Sequence, residues 1–599
     1  MRTPQAFATW SPVALSVALI CSLATSTHAA DSPRELHPVD SVFYVEYDGR
    51  EKHDEAVHNT AAHAAFHDSG LEELSIATLD FIQEVLNKNE QTIDAAQFFE
   101  GFRTAVSRGL EHGVSVSIAI PQEGMPVPRV TLVLHDSGEL VSDWAWYAGE
   151  MANKYPEAFD NAELILKTIE ERDVTAIAVK GDINAEIATW KEGDHALLTI
   201  GLGASKWAMS VATGKMENIT ANKAIADGLA TKADFEVIMH SVLDTSTLLR
   251  KYEGFTIPND SGEPLTVGDL FKMTGMNKLG LMTCQSGYKD AAIWTVTKLQ
   301  CKGSEKEQTP SFSLTDLPPL PWDTTAATAF NFNLTGDFRG LKKLIESALA
   351  FAPKREREQA FEVFDNLNKI VGFDIEKDLL DSFGDLACFY VDPDGGSYGL
   401  GFGVAIKVKD NEKLLKTMGQ IEAKLKDVGD SPVFLLPSEK LDRTMYLTEF
   451  YIEEGSIQYG AMGIDKDWFV IGLMPQTVTS FFHRLDGSII SWEPTDEFKE
   501  CLDEMPKSYH QVSFADVRGA TRLAYNWLVF VSPFLQSGIY NSGVLEDEQT
   551  LPFHVEDLPP AELIIDPLFP NVTTCTKEGD TYIWTTRSST GLWGMLGLY

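Results

Sequence analysis

Apolar and polar residues alternate with period two in short runs along this chain, and between the runs the period lengthens to that of a helix. Leu386 to Val391 and Phe402 to Val408 read as two strands around a Pro-Asp-Gly-Gly turn. Asp410 then opens a helix whose buried stripe is Leu414, Met418, Ile421 and Leu425. A weaker copy lies about 270 residues earlier. Val114 to Ile120 and Val130 to Leu134 are its strands, Asp136 its cap, and Leu140, Trp144, Ala148 and Met151 its stripe. Val130 to Asp136 aligns without gaps to Val404 to Asp410.

Other segments recur in the same order. The strand with Phe43, Val45 and Tyr47 is answered by Phe330, Phe332 and Leu334, and the helical stretch from Glu55 to Asn87 by that from Gly340 to Phe351. His195 to Leu202 resembles Trp468 to Leu473, and Phe235 to Tyr252 aligns gaplessly with His510 to Trp527. Cys284 before Ile293-Trp294-Thr295 matches Cys575 before Ile583-Trp584-Thr585. The chain therefore reads as a duplication: a first repeat over 35–303, a proline-rich linker over 304–324, and a second repeat over 325–599 with an insertion near 529–552. Hairpins dominate, so the fold class is α+β: two tandem similar domains with mainly antiparallel sheets and helices packed on one face. The halves should share one strand order, with Cys284 and Cys575 at equivalent positions.

The strand-to-helix step Val404-Ala405-Ile406-Lys407-Val408-Lys409-Asp410, the lead-in Gly372-Phe373-Asp374-Ile375-Glu376-Lys377-Asp378, the Thr60-Ala61-Ala62 helix and the late strand Val512-Ser513-Phe514-Ala515-Asp516 resemble an uncharacterised family. Its members are exported bacterial proteins, found in planctomycetes and cyanobacteria, that carry a domain of unknown function. The resemblance implies an envelope or exported protein and supplies no catalytic residues.

Charge narrows the partners. Against 49 basic residues stand 88 acidic ones, a formal net charge of -39, so nucleic acid and anionic membrane are disfavoured. Residues 1–29 read as a cleaved secretory leader, with an apolar run from Val13 to Leu23 too short to span a bilayer. Ile20 before Cys21 argues against lipoprotein processing. No later run reaches the length of a transmembrane helix. The expected localisation is exported: periplasmic, envelope-associated or secreted. Cys284, Cys301, Cys388, Cys501 and Cys575 follow neither a zinc pattern nor a disulfide framework, and their pairing stays open.

Candidate chemistry is sparse. His53, His58, His63 and His67 crowd one segment, but on a single helix only His63 and His67 share a face, and the pair lacks the glutamate of zinc proteases. The reading is an exposed polar helix face. Gly395-Gly396 and the glycines to Gly403 precede a strand, so they make a turn rather than a phosphate loop. Gly403 stands where a twelve-residue calcium loop starting at Asp392 would need an acid. No Gly-x-Ser-x-Gly occurs, and Ser286-x-x-Lys289 lies in a hairpin. No catalytic residue, cofactor or metal is assigned.

The apolar segment Tyr525 to Leu535, which should stop at Pro533, and the tryptophans of the Leu140 helix are candidate interaction surface: Trp527, Phe530, Phe534, Trp144 and Trp146. The expected function is a non-enzymatic, envelope-associated binding or structural component, its partner an envelope protein, glycan or peptide. The alternative is an exported hydrolase with a site at the interface of the halves.

Overall fold

The computed structural model describes residues 32–88, 93–121, 127–154, 162–179, 185–257, 265–304, 310–349, 366, 368–369, 371–395, 401–427, 433–451, 457–541 and 557–591. The leader and Cys21 lie outside them, as does much of the insertion near 529–552.

The first half supplies β1 (Ser41–Tyr47), β2 (Val114–Ala119), β3 (Arg129–Leu134), β4 (Ala162–Ile169), β5 (Arg172–Val179), β6 (Ala185–Glu192), β7 (His195–Gly201) and β8 (Glu236–Asp244). A separate small pair follows, β9 (Thr256–Ile257) and β10 (Leu265–Thr266), before β11 (Leu279–Lys289) and β12 (Ala292–Cys301). The second half supplies β13 (Ala326–Asn331), β14 (Phe383–Val391), β15 (Phe402–Val408), β16 (Val433–Lys440) and β17 (Arg443–Tyr451). Its remaining strands are β18 (Ile457–Ile464), β19 (Trp468–Gly472), β20 (Gln511–Ala515), β21 (Asn571–Glu578) and β22 (Thr581–Ser588).

Spatial order is the same in both halves. The first runs β4-β5-β6-β7-β3-β2-β1-β8-β11-β12, and every pairing is antiparallel. The second runs β16-β17-β18-β19-β15-β14-β13-β20-β21-β22, again antiparallel throughout. β12 then pairs β22, so the halves join edge to edge in one continuous ladder. Among the described residues β4 and β16 are each paired on one side, and the ladder ends there. Both ends are α+β in the sense of a large antiparallel sheet with packed helices.

Register agrees closely at the centre of each half. Val130 faces Ile200 across β3 and β7, and the aligned residues Val404 and Ile471 face each other across β15 and β19. Elsewhere the alignment slips. Val45 faces Val116 while Phe330 faces Ala387, so Phe330 answers Val45 and not Phe43. Phe332 and Leu334 lie beyond β13, and Leu334 already begins the helix Leu334–Leu349. Cys284 faces Ser241 and Cys575 faces Gln511, and these in turn face the matched residues Val45 and Phe330, so the two cysteines hold equivalent positions in the ladder. The first hairpin runs two residues further to its two-residue loop, since Cys284 stands six residues before that loop against four for Cys575.

Helices cover both faces, not one. Val470 packs with Val478, Phe481 and Phe482 of the helix Pro475–Leu485. Its neighbour Phe469, which points to the opposite face, packs with Leu414 and Met418 of the helix Asn411–Asp427. The first half repeats this, with Leu197 against Trp207 and Met209 on one face and Ala196 against Leu140 and Trp144 on the other. Unbroken apolar runs such as Trp468-Phe469-Val470-Ile471 are what a sheet buried on both faces requires.

Asp410 caps its helix, its carboxylate accepting the Lys413 amide at 3.1 Å. Asp136 does not cap: it adopts φ 45°, its amide donates to His195 Nδ1, and the helix starts at Leu140. The proline-rich stretch is docked against the second half, with Phe312 and Leu320 in its core and Phe312 bridged to Tyr509.

Candidate functional site

The sequence-selected aromatics separate by burial. Trp144 is 4% exposed and belongs to the core with Leu134 and Val141, while Trp146 is 61% exposed on the same helix. Two helical residues apart is about 200°, so one of them had to face inward, and the stripe through Leu140 selects Trp144. Trp190, Trp207 and Trp468 are core residues too.

The second group sits on the helix Val517–Asn541, which runs through Pro533 rather than stopping there. A proline in a helix interior forfeits one backbone hydrogen bond and crowds the preceding turn, so it marks local strain without dictating an end. The inner side of this helix carries Tyr525, whose hydroxyl donates to the Pro559 carbonyl at 2.9 Å, and the buried Ser532. Its outer side carries Leu523, Trp527, Phe530 and Phe534 at spacings of four, three and four. Phe530 is 62% and Phe534 66% exposed. Ring centroids are 5.9 Å apart for Trp527 and Phe530 and 5.6 Å for Phe530 and Phe534, so the three make one row. The usual polarity of a surface helix is inverted here.

A second apolar surface escaped the sequence reading. Past the residues packed on the helix Asn411–Asp427, the sheet face of Phe469 continues through Phe389, Val404 and Ile471, which face one another across β14, β15 and β19. Phe389 is 48% exposed and stacks on Phe330 at 5.8 Å. The aligned trio Ile118, Val130 and Ile200 forms the same floor in the first half. The alternation within each strand was visible, but not how far the covering helix reaches.

Two arrangements bear on catalysis. Ser115 Oγ lies 2.8 Å from His37 Nε2 and 3.1 Å from His135 Nε2, and His37 Nδ1 lies 2.8 Å from Ser117 Oγ. All four residues are buried. Burial pushes both imidazoles down to about 3, with His135 adding to the effect on His37 and His195 to that on His135. A serine and histidines are thus within reach, but they are enclosed in the core and tie the segment before β1 to β2. At the junction of the halves a cleft of about 660 Å³ is lined by Lys52, His53, Glu236, Tyr288 and Lys289. His53 Nδ1 is 2.6 Å from Glu236 Oε1, and the Asp48 carboxylate 3.8 Å from its Nε2 raises its pKa. Lys289 reaches across to Glu504 of the second half. No serine, threonine or cysteine among the described residues lines that cleft.

The cysteines are poor nucleophiles. Cys388, Cys501 and Cys575 form no disulfide and are buried. Burial pushes Cys388 up to about 12 and Cys575 up to about 11.

The histidine-rich segment is not one helix. Asp54–His58, Ala61–His63 and a π turn over Ala64–Asp68 follow one another before the helix Leu71–Lys88. Ring centroids are 4.4 Å apart for His58 and His63 and 4.6 Å for His63 and His67, both pairs tilted, and His53 stands apart in the junction cleft. His58, which the single-helix reading left off the shared face, is thereby brought beside the other two.

No family model matches the chain, and no curated protein matches it. Among solved structures, crystal form III of TP0453 aligns with a TM-score of 0.22 and 10% identity over 46% of this chain and 81% of that one. Crystal form I of TP0453 aligns with a TM-score of 0.21 and 9% identity, with the same coverage. Likeness at this level carries no argument about fold or function.

Proposed function

We propose that this chain is an exported, non-enzymatic binding component of the envelope that engages an apolar segment of a partner through the aromatic row on the helix Val517–Asn541. The observation that carries the reading is the inverted polarity of that helix: Phe530 and Phe534 face outward while Ser532 is buried. Exposed aromatics at helical spacing offer rigid, amphipathic contact area at low entropic cost, which is the composition of binding hot spots. The partly exposed floor of Phe389 and Ile471, uncovered among the described residues, supports a surface-based role. The net charge of -39 argues against nucleic acid as the partner. No helix among the described residues is long and apolar enough to cross a membrane.

The test is co-isolation from the native envelope fraction with the wild-type chain and with a Phe530→Ser/Phe534→Ser variant. A partner retained by the first and lost by the second is expected. Identical co-isolated sets would reject the aromatic row as the binding surface.

A further inference from the structure

We propose that His63, His67 and Asp68 form a binding site for a zinc-class divalent cation, with His58 placed beside them as a fourth ligand. The backbone makes this arrangement. In an α-helix, residues five apart point about 140° away from each other, but the i to i+5 bonding of a π turn brings them to nearly the same side. The π turn Ala64–Asp68 directly follows His63, so Asp68 swings beneath it and its Oδ1 lies 3.7 Å from His63 Nδ1. One ligand atom from each of His63, His67 and Asp68 lies within 4.8 Å of the other two.

An independent observation points to a ligand. His63 is 8% exposed, and its Nδ1 has no hydrogen-bond partner. A buried ring nitrogen that faces a carboxylate at 3.7 Å without a hydrogen bond is costly to leave so, and a cation held between the two would satisfy both. The neighbouring groups have the form of an outer shell. Glu72 Oε2 bonds His67 Nδ1, and the Asp54 carbonyl accepts from His58 Nδ1 at 2.7 Å. Each bond fixes the tautomer that leaves Nε2 with its lone pair available for a metal.

Donor type selects the ion. Two or three imidazoles and one carboxylate suit zinc, cobalt and nickel, whereas calcium and magnesium take oxygen sets. His67 and Asp68 are largely exposed, so the ion has an entry path and these side chains are free to close to the separations of about 3.3 Å that bonds of about 2.0 Å demand. The helix Ala561–Ile565 of the second half packs on the π turn, so the ion would fasten this segment where the halves meet.

The full chain, made without a polyhistidine tag and stripped with a chelator, is titrated with Zn²⁺ by calorimetry and with Co²⁺ by visible absorption. One zinc per chain and tetrahedral Co²⁺ bands are expected. His67→Gln and Asp68→Asn, both at exposed positions and expected to keep the native urea midpoint, should each weaken binding at least tenfold, while His510→Gln in the second half should not. His63→Gln should abolish it. Absence of stoichiometric zinc binding, or zinc held as tightly by His67→Gln and Asp68→Asn as by the native chain, overturns the proposal.

Discussion

Thr297 stands opposite Trp584 in the seam between the two halves, and because Thr297 also faces Cys284 while Trp584 faces the equivalent Cys575, exchanging the halves returns the same pair. The seam is therefore self-complementary, as at a two-fold dimer interface, though one chain supplies both sides. Edge strands β12 and β22 are each covered by the other, which removes two exposed edges that would invite aggregation.

Proline at the seam tests this. Thr585→Pro removes a ladder donor in the middle of the sheet and should lower stability by about 1–3 kcal/mol, while Thr585→Val should stay within about 0.5 kcal/mol. Urea midpoints decide. Equal midpoints for the two variants would mean that β22 is not paired on both sides.

Burial separates the tryptophan and phenylalanine candidates energetically. Trp144→Ala should cost about 3–5 kcal/mol, because it empties a packed core site among Leu134, Leu140 and Val141. Phe530→Ser and Phe534→Ser should change stability by no more than about 0.5 kcal/mol. Thermal melts of the three variants measure the contrast.

The enclosed histidines predict acid sensitivity. His37 and His135 are held at about 3 in the folded chain against about 6.5 when exposed, so the folded state resists taking up their protons. Their contribution is complete above pH 6.5 and is lost as pH falls from there toward 3. It amounts to about 2 kcal/mol per imidazole between pH 6.5 and pH 5. His37→Gln keeps a side chain able to bond Ser115 and Ser117 but does not titrate, and it should flatten the fall in urea midpoint between pH 7 and pH 5. An unchanged slope would count against the buried pair as the cause.

Cysteine access follows the same burial. Brief alkylation of the native chain should label Cys284 and Cys301, which are partly exposed, before Cys388, Cys501 and Cys575. Peptide mass spectrometry reads the order, and early labelling of Cys388 would contradict the packing of β14.

Much of the sheet was legible because hairpins align without gaps: Val130 to Asp136 against Val404 to Asp410 gave the β3 and β15 register directly. The slip of Phe330 from Phe43 to Val45 was not, because a shift of two residues keeps every side chain on the same face and leaves the hydrophobic pattern unchanged. Trp144 was legible as core from its own stripe. The π turn at Ala64–Asp68 was hidden, since spacing alone cannot distinguish an α from a π turn, and with it went the approach of Asp68 to His63. Pro533 misled because a local breaker was read as a stop, while the helix bridges it within a 25-residue element.

The binding role of the aromatic row is tested most directly by photo-crosslinking in the producing cell. A photoreactive residue at position 530 should yield a discrete crosslinked partner, and one at the exposed Ala524, about 120° around the same helix, should yield it much more weakly. No crosslink from 530, or the same products from both positions, would contradict the account.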